Sequence, residues 1–468
     1  MPWAPARGAL ATLPVDRRAT RVTDTPFSAA LACGIHVTGW RGSRSRVNRL
    51  TGAALLSSGA MLPIARRDAD RFILPGLATA HSHAFQRALR GRTQRRASVE
   101  GSFWTWRGLM YALVERLSPE TLYALSHFAF VELAMAGVTA VGEFHYVHHQ
   151  ADGTPYADRT LLADTVVRAA RDAGLRVTLL RTIYERAGLG RPLEAGQRRF
   201  VDASVDDALR DVDTLRARYA GDTHISVGLA PHSVRALSRG WLDALGSYAQ
   251  QHALPLHAHV SEQRREVQES LAEHGLRPLA LFDALGMLDA RFVAVHATHL
   301  APDEVRLLGR ARAFACVCRT TERDLGDGAG NSAALVRAGV RLCTGIDSYS
   351  VTDPFEEARA IELDDRVRAE ARTVAAEATL LLEAASHGGY EAIGMASVAS
   401  QDRVVLDAHD PALAGATADA DDAVLWAASP RAVREVYVGA ERIVANGVHR
   451  GYDAARIAYE KALASLGV

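Results

Sequence analysis

The sequence predicts an α/β fold: a (β/α)8 TIM-like barrel with a small β-sandwich domain made by the two ends of the chain. Three observations predict it. From about residue 72, eight short apolar runs rich in β-branched residues alternate with longer amphipathic stretches. Each run is apolar nearly throughout, as strands covered by helices on both faces must be. In six of the eight, a His, Asp or Arg comes directly after the apolar run. That is the C-terminal mouth, where barrels of this kind carry their sites. An open doubly wound sheet is the alternative, and the placement of these polar residues favours the closed barrel.

Residues 1–71 are poorly patterned, with "GIHVTGW" and "GAALLSSGAML" as short strand candidates between basic or mixed loops. They are expected to form the first part of the small β domain. The barrel is expected over 72–398. Its strand candidates are "FILPGLATAHSHA", "GVTAVGEFHY", "LRVTLLRTIY", "HISVGLAPHS", "LPLHAHVSE", "RFVAVHATH", "AFACVCRT" and "VRLCTGIDS". Helix signals lie between them. Ser118-Pro119-Glu120 reads as an N-cap followed by Pro at the first helical position, and that helix stops at Gly137. A second runs from about Arg159 to Ala173 and stops at Gly174, and others fall near 203–219, 238–252, 262–273, 302–311 and 331–338. After the eighth strand, "DPFEEARAIELDDRVRAEAR" reads as a long charged helix. Residues 399–468 return to short alternating strands, with a turn at Asn446-Gly447 and a terminal helix, and are expected to complete the small β domain.

A chain of 468 residues is long enough for such a barrel and a satellite. Lys plus Arg and Asp plus Glu are both 54, so the formal net charge is zero. That balance speaks against nucleic acid or an anionic membrane as partner, and any preference for an anionic ligand must come from locally placed arginines. Cys33, Cys316, Cys318 and Cys343 do not make a disulfide framework and read as free thiols of a reducing compartment. No apolar run approaches about 18 residues, and the expectation is a cytoplasmic, unanchored protein.

The chemistry gathers at strand ends. His81-Ser82-His83 closes the first strand, and residues two apart on a strand point to one face. Two imidazoles there suit zinc, iron, copper or nickel. The fifth strand ends in His257 and His259 followed by Glu262, the sixth presents His296 and His299, and the eighth presents Asp347. Any one of these is equally a polar strand terminus. The set, in this order on strands one, five, six and eight, is much less easily a coincidence.

That set resembles the deaminase branch of the amidohydrolase superfamily. The strings "HSHAFQRALRG", "SFWTWRGLMY", "GEFHYVHH", "PHSVRA", "HVSEQ", "HATHL" and "TTERDLGDG" are similar to those of the formimidoylglutamate deiminases. The resemblance implies His81, His83, His259 and Asp347 as ligands of one zinc ion, with iron or nickel also suited to such a site. It implies hydrolysis of N-formimino-L-glutamate to N-formyl-L-glutamate and ammonia, a step of histidine degradation. A bound metal would lower the pKa of its water toward roughly 7 and so supply hydroxide for attack on the formimino carbon. Glu262 would carry a proton to the departing nitrogen, Asp347 would accept the first proton, and His296 would hydrogen-bond the developing tetrahedral centre.

A small dicarboxylate substrate needs cations. Arg107, Tyr146 and Arg235 match the carboxylate-binding positions, with Gln86 and His232 as nearby polar contacts. His145, His148, His149, His257 and His299 read as loop, packing or supporting groups. A homodimer is implied as well. The chain departs from the resemblance at Tyr349, where His is usual, at Arg319, where Pro is usual, and over the first 70 residues, which lack the usual opening strands. Two other readings stay open: a deaminase for a guanidino acid, aminopurine or pterin, and a barrel that has lost catalysis and serves binding.

Overall fold

The computed structural model describes residues 63–94, 103–416 and 419–468. The strand candidates "GIHVTGW" and "GAALLSSGAML", and Cys33, lie outside the described residues. Two strands open the described chain: β1 (Arg66–Asp68) and β2 (Arg71–Pro75). The barrel strands follow: β3 (Leu77–Ser82), β4 (Val138–His145), β5 (Arg176–Ile183), β6 (Ile225–Pro231), β7 (Leu256–Val260), β8 (Phe292–His296), β9 (Phe314–Val317) and β10 (Arg341–Thr344). All eight expected runs form strands, but the first splits at Gly76: Phe72–Pro75 lies in β2, which pairs into a second sheet, and only Leu77–Ser82 enters the barrel. The barrel strands pair in parallel in sequence order, from β3 to β10. The ring closes just beyond the last strand. Ser82 and Asp347 form a parallel bridge, in which Asp347 N donates to the His81 carbonyl and His83 N donates to the Asp347 carbonyl, each at 3.0 Å. The closing backbone ladder is thus made by the residues singled out for chemistry.

The remaining strands are β11 (Arg403–Asp407), β12 (Val433–Val438), β13 (Glu441–Ala445) and β14 (Val448–His449). With β1 and β2 they make one antiparallel sheet, ordered β1-β2-β11-β12-β13-β14. Both sides of the barrel segment therefore contribute to this small layer, as expected. The two sheets meet at Gly76, whose N–H donates to the Asp402 carbonyl at 3.0 Å. A Cβ at Gly76 would collide with Thr139, Asp402 and Tyr390. The buried Asp402 carboxylate is held by Arg176 through bonds of 2.8 and 2.9 Å.

The capping signals work as read. The Ser118 hydroxyl accepts from Thr121 N at 3.2 Å, and the helix Pro119–Met135 ends before Gly137, whose φ is +97°. That helix is apolar nearly all round because the terminal helix Tyr452–Leu466 covers its outer side. There Phe128 stacks on Tyr459 with ring centroids 4.7 Å apart. Near the strand starts, Ala78, Ala80 and Ala140 pack with Tyr390, Ile393 and Met395, which plug the barrel from that end. The opposite mouth is left for a site. No helix among the described residues is long and apolar enough to cross a membrane.

Candidate active site

At the mouth, imidazoles and a carboxylate converge without donors to match them. His83 Nδ1 lies 2.9 Å from the Phe144 carbonyl, and His259 Nδ1 lies 3.0 Å from the His232 carbonyl. A carbonyl only accepts, so both Nδ1 atoms carry the proton and both Nε2 lone pairs face inward. His259 Nε2 is 3.2 Å from His81 Nε2. Asp347 Oδ1 is 3.5 Å from His81 Nε2 and 3.4 Å from His83 Nε2. Two overlapping groups, His81-His83-His259 and His81-His296-Asp347, each bring their ligand atoms within 4.8 Å of one another. Fixed lone pairs and a carboxylate crowded this closely demand a cation, and the donor set suits a borderline divalent metal.

Electrostatics agrees. Burial, then the neighbouring imidazoles, push His81 and His259 well below the usual histidine range, and burial also lowers His83. These rings are therefore neutral, the form that binds metal. His296 goes the other way: burial opposes its charge, but Glu262, then Cys318 and Glu322, raise it well above the usual value. Its Nε2 is 3.7 Å from Glu262 Oε1 and 3.8 Å from Asp347 Oδ2. Burial raises the Glu262 carboxyl. The backbone here is strained, since Ser261, His296, Ala297, Asp347 and Tyr349 all have φ between +52° and +67°.

These groups floor a cavity at the mouth of the barrel. His83, Gln86, Arg107, Tyr146, His232, Arg235, His259, Glu262, His296 and Asp347 all line it, and His81 is fully buried beside it. The residues expected from the sequence as metal ligands, catalytic groups and substrate contacts are thus in one place. On the wall, Gln86 Nε2 donates to the Tyr146 hydroxyl at 2.7 Å. Arg107 sits over the Tyr111 ring, 5.2 Å from its centroid, and pairs with Glu194 at 2.6 Å. Arg235 Nη1 is buried with no hydrogen-bond partner among the described residues. His232 packs edge-on against Tyr184 with centroids 4.9 Å apart.

Residues 72–400 match the model of the amidohydrolase family. The chain belongs to the amidohydrolase family. It is 39% identical over 407 residues to a formimidoylglutamate deiminase of Pseudomonas aeruginosa, covering 84% of this chain and 89% of that protein. It is 28% identical over 414 residues to an 8-oxoguanine deaminase of the same organism, covering 85% and 88%. Among solved structures, an amidohydrolase from Brucella melitensis superposes with a TM-score of 0.79 at 35% identity, over 85% of this chain and 90% of that one.

Other residues of this amidohydrolase sort themselves by contact. His148 Nε2 lies 2.8 Å from the Thr182 carbonyl, and His149 Nε2 lies 2.9 Å from that of Val201. His257 Nε2 meets the Ala392 carbonyl and His299 Nε2 the Asp327 carbonyl, each at 2.9 Å. None of these joins a metal-type group among the described residues. Cys316, Cys318 and Cys343 are free and buried.

Sequence reasoning missed Trp106, Met110, Tyr111, Tyr184 and Phe200 on the wall and Thr321 and Ser348 on the floor. Tyr111 was findable, since it lies four residues after Arg107 on the helix Phe103–Val114 and so shares its face. Tyr184 was findable too, as the residue directly after β5. Glu322 was also missed: it reaches the floor from behind, with Oε1 3.4 Å from His296 Nδ1.

Both point departures are built in. The Tyr349 hydroxyl lies 2.8 Å from Ser82 Oγ, which donates to Glu143 at 2.5 Å. Arg319 is 1% exposed, and both its terminal nitrogens donate hydrogen bonds, Nη1 to Glu322 and Nη2 to the Gly330 carbonyl and Ser332 Oγ.

Proposed function

We propose that this amidohydrolase hydrolyses N-formimino-L-glutamate to N-formyl-L-glutamate and ammonia. The observation that carries the reading is a single cavity with two guanidinium groups on its wall and an imidazole–carboxylate cluster on its floor. The Pseudomonas relative supports it. In this reading His81, His83, His259 and Asp347 hold one zinc ion. When bound, such an ion supplies the positive charge that lets a water ionise near neutral pH.

The chain's own groups do the rest. Arg107 and Arg235 take the two carboxylates, as charge-assisted bonds to planar forks favour. Gln86, Tyr146 and His232 line the path between wall and floor and hold the substrate's polar middle. With the carboxylates fixed, the formimino carbon lies over the floor, and positioning of this kind removes much of the barrier. His296 hydrogen-bonds the oxygen on which charge develops. Asp347 takes the first proton from the attacking water. Glu262, whose carboxyl is raised by burial, gives its proton to the imino nitrogen on attack and takes up the remaining hydroxyl proton as the carbonyl forms, while Asp347 passes its proton to the same nitrogen, which leaves as neutral ammonia.

The same reading takes residues 72–398 as the catalytic barrel, histidine degradation as the pathway, and a cytoplasmic homodimer as the working form. Metal analysis coupled to ammonia release tests the function. One equivalent of zinc and release of ammonia from N-formimino-L-glutamate are expected, with none from guanidino acids, aminopurines or pterins. Metal-replete protein that leaves the formimino acid untouched would overturn it. Sedimentation checks the dimer.

A further inference from the structure

His296 is reached from two sides. Its Nε2 faces the cavity, close to Glu262 and Asp347. Its Nδ1 faces away, 3.4 Å from Glu322 Oε1. Nothing in the mechanism above uses what lies behind that contact. Glu322 is 1% exposed, and both its oxygens are committed. Oε1 also accepts from Cys318 N at 3.0 Å. Oε2 accepts from Arg319 Nη1 at 2.7 Å.

Arg319 is in turn pinned. Nη2 donates to the Gly330 carbonyl at 3.0 Å and to Ser332 Oγ at 2.6 Å, and Nε lies 3.5 Å from Asp364 Oδ2. A guanidinium this deeply buried is costly unless paired. Here it is paired, and it forms the anchored end of a line from Arg319 through Glu322 to His296. The line matters because of what each group permits. A carboxylate only accepts, so its bond to His296 requires the proton on Nδ1. That leaves Nε2 as the atom presented to the cavity in a fixed ring orientation. Glu322 can rotate away from the ring unless its other oxygen is held, and Arg319 holds it.

We propose that Arg319 is a positioning residue for His296, acting through Glu322, which it fixes so that the imidazole keeps one ring orientation toward the cavity. Only the kinetic part of the test rests on the deiminase reading. Arg319 stands at a position where this chain departs from the sequences it resembles, so the role belongs to this chain's own build.

The test uses the full-length, metal-loaded chain. Arg319→Met is expected to lower kcat by about 10-fold, toward the low end of the losses that follow when a group orienting a metal-site histidine is removed. KM should stay within about twofold, and metal content at one per chain, because neither the wall nor the ligands move. Glu322→Gln should recover most of what Glu322→Ala loses, since the amide oxygen still accepts from Nδ1–H. Arg319→Lys, which keeps the buried charge, should lie between wild type and Arg319→Met and covers the case in which Met does not fold.

A second readout does not depend on any substrate. In [15N]histidine-labelled protein, the Nδ1–H resonance of His296, identified by its absence in His296→Asn, should be present in wild type. It should shift in Arg319→Met and be lost in Glu322→Ala. An unchanged resonance in Arg319→Met, or an unchanged kcat there, overturns the proposal. Wild-type protein that releases no ammonia from N-formimino-L-glutamate would instead reject the function, and the resonance would still decide the role of Arg319.

Discussion

The floor and the wall of the cavity are built on different principles. The floor is made of strand ends: His81 near the end of β3 and His83 just after it, His259 on β7, His296 at the end of β8 and Asp347 beyond β10. The Ser82–Asp347 bridge ties the first and last of these through backbone. The wall comes from other places: the helix Phe103–Val114 supplies Arg107, and the segments after β5 and β6 supply Tyr184 and Arg235. Its ion pair Arg107–Glu194 reaches a side chain that is 53% exposed. The lesson is a division of labour. On the proposed function, the groups that hold the metal sit at the strand ends of the closed sheet, and Arg107 and Arg235, which hold the carboxylates, sit on a helix and a loop outside it.

Substitutions on floor and wall should differ in both size and kind of effect. The largest effect should follow His259→Ala. It removes one imidazole from the convergent set, and a site left with a cavity and fewer ligands should lose its metal. Activity is expected to fall by about a thousandfold or more, with metal content well below one per chain. Should His259→Ala keep both metal and turnover, the floor would not be a metal site. Next comes Glu262→Gln, which keeps the shape and removes the titrating group. A loss of about 10²–10⁴ in kcat is expected, with metal content and KM nearly unchanged. A KM effect without a kcat effect would move Glu262 from floor to wall.

Arg235→Met should act through KM. A charged hydrogen bond to a carboxylate contributes about 1.5–3 kcal/mol, so a rise in KM of about 10-fold to 100-fold is expected. Arg107→Met should cost less, because Glu194 already occupies that guanidinium at 2.6 Å and the substrate must displace it. Loss of kcat with KM intact in both variants would dissolve the distinction between floor and wall.

The same division explains what could be read in the sequence. The floor was legible because strand periodicity fixes which side chains share a face, and H-x-H at 81–83 and His259 with Glu262 announce themselves locally. The helix starts were legible for the same reason: Ser118 and Pro119 act within one turn. The wall was legible only through resemblance. No local rule says that a helix after β3 carries Arg107 over the mouth, or that Phe200 returns to meet Tyr184. Glu322 escaped for a different reason. Its partner His296 lies 26 residues away, and in sequence it reads as one more charged residue on a short helix. Tyr349 and Arg319 looked like defects because their compensating partners, Ser82 and Glu322, are visible only in three dimensions.

The smallest expected effect lies behind the floor and is a matter of pH. Glu357, on the helix Pro354–Ala369, is 1% exposed. Its oxygens accept from Thr320 N at 3.2 and 3.3 Å, and the Thr320 hydroxyl donates to it as well. Burial, only partly offset by these bonds, pushes the carboxyl up from 4.5 to about 8. The unfolded chain therefore releases this proton near 4.5, and the folded chain holds it until about 8. Between those values the native state binds more protons than the unfolded one, so this group's contribution to stability falls as pH rises through the window. It is fully present below about 4.5 and gone above about 8. Gln cannot ionise, so Glu357→Gln should match wild type near pH 5 and exceed it near pH 8. The gap in thermal midpoint should be about 2 °C or more, a modest shift for a chain of this size. Measuring both chains at several pH values cancels the other titrating groups. Parallel curves would mean that Glu357 is ionised in place, and that the support of the floor tolerates charge as readily as the wall does.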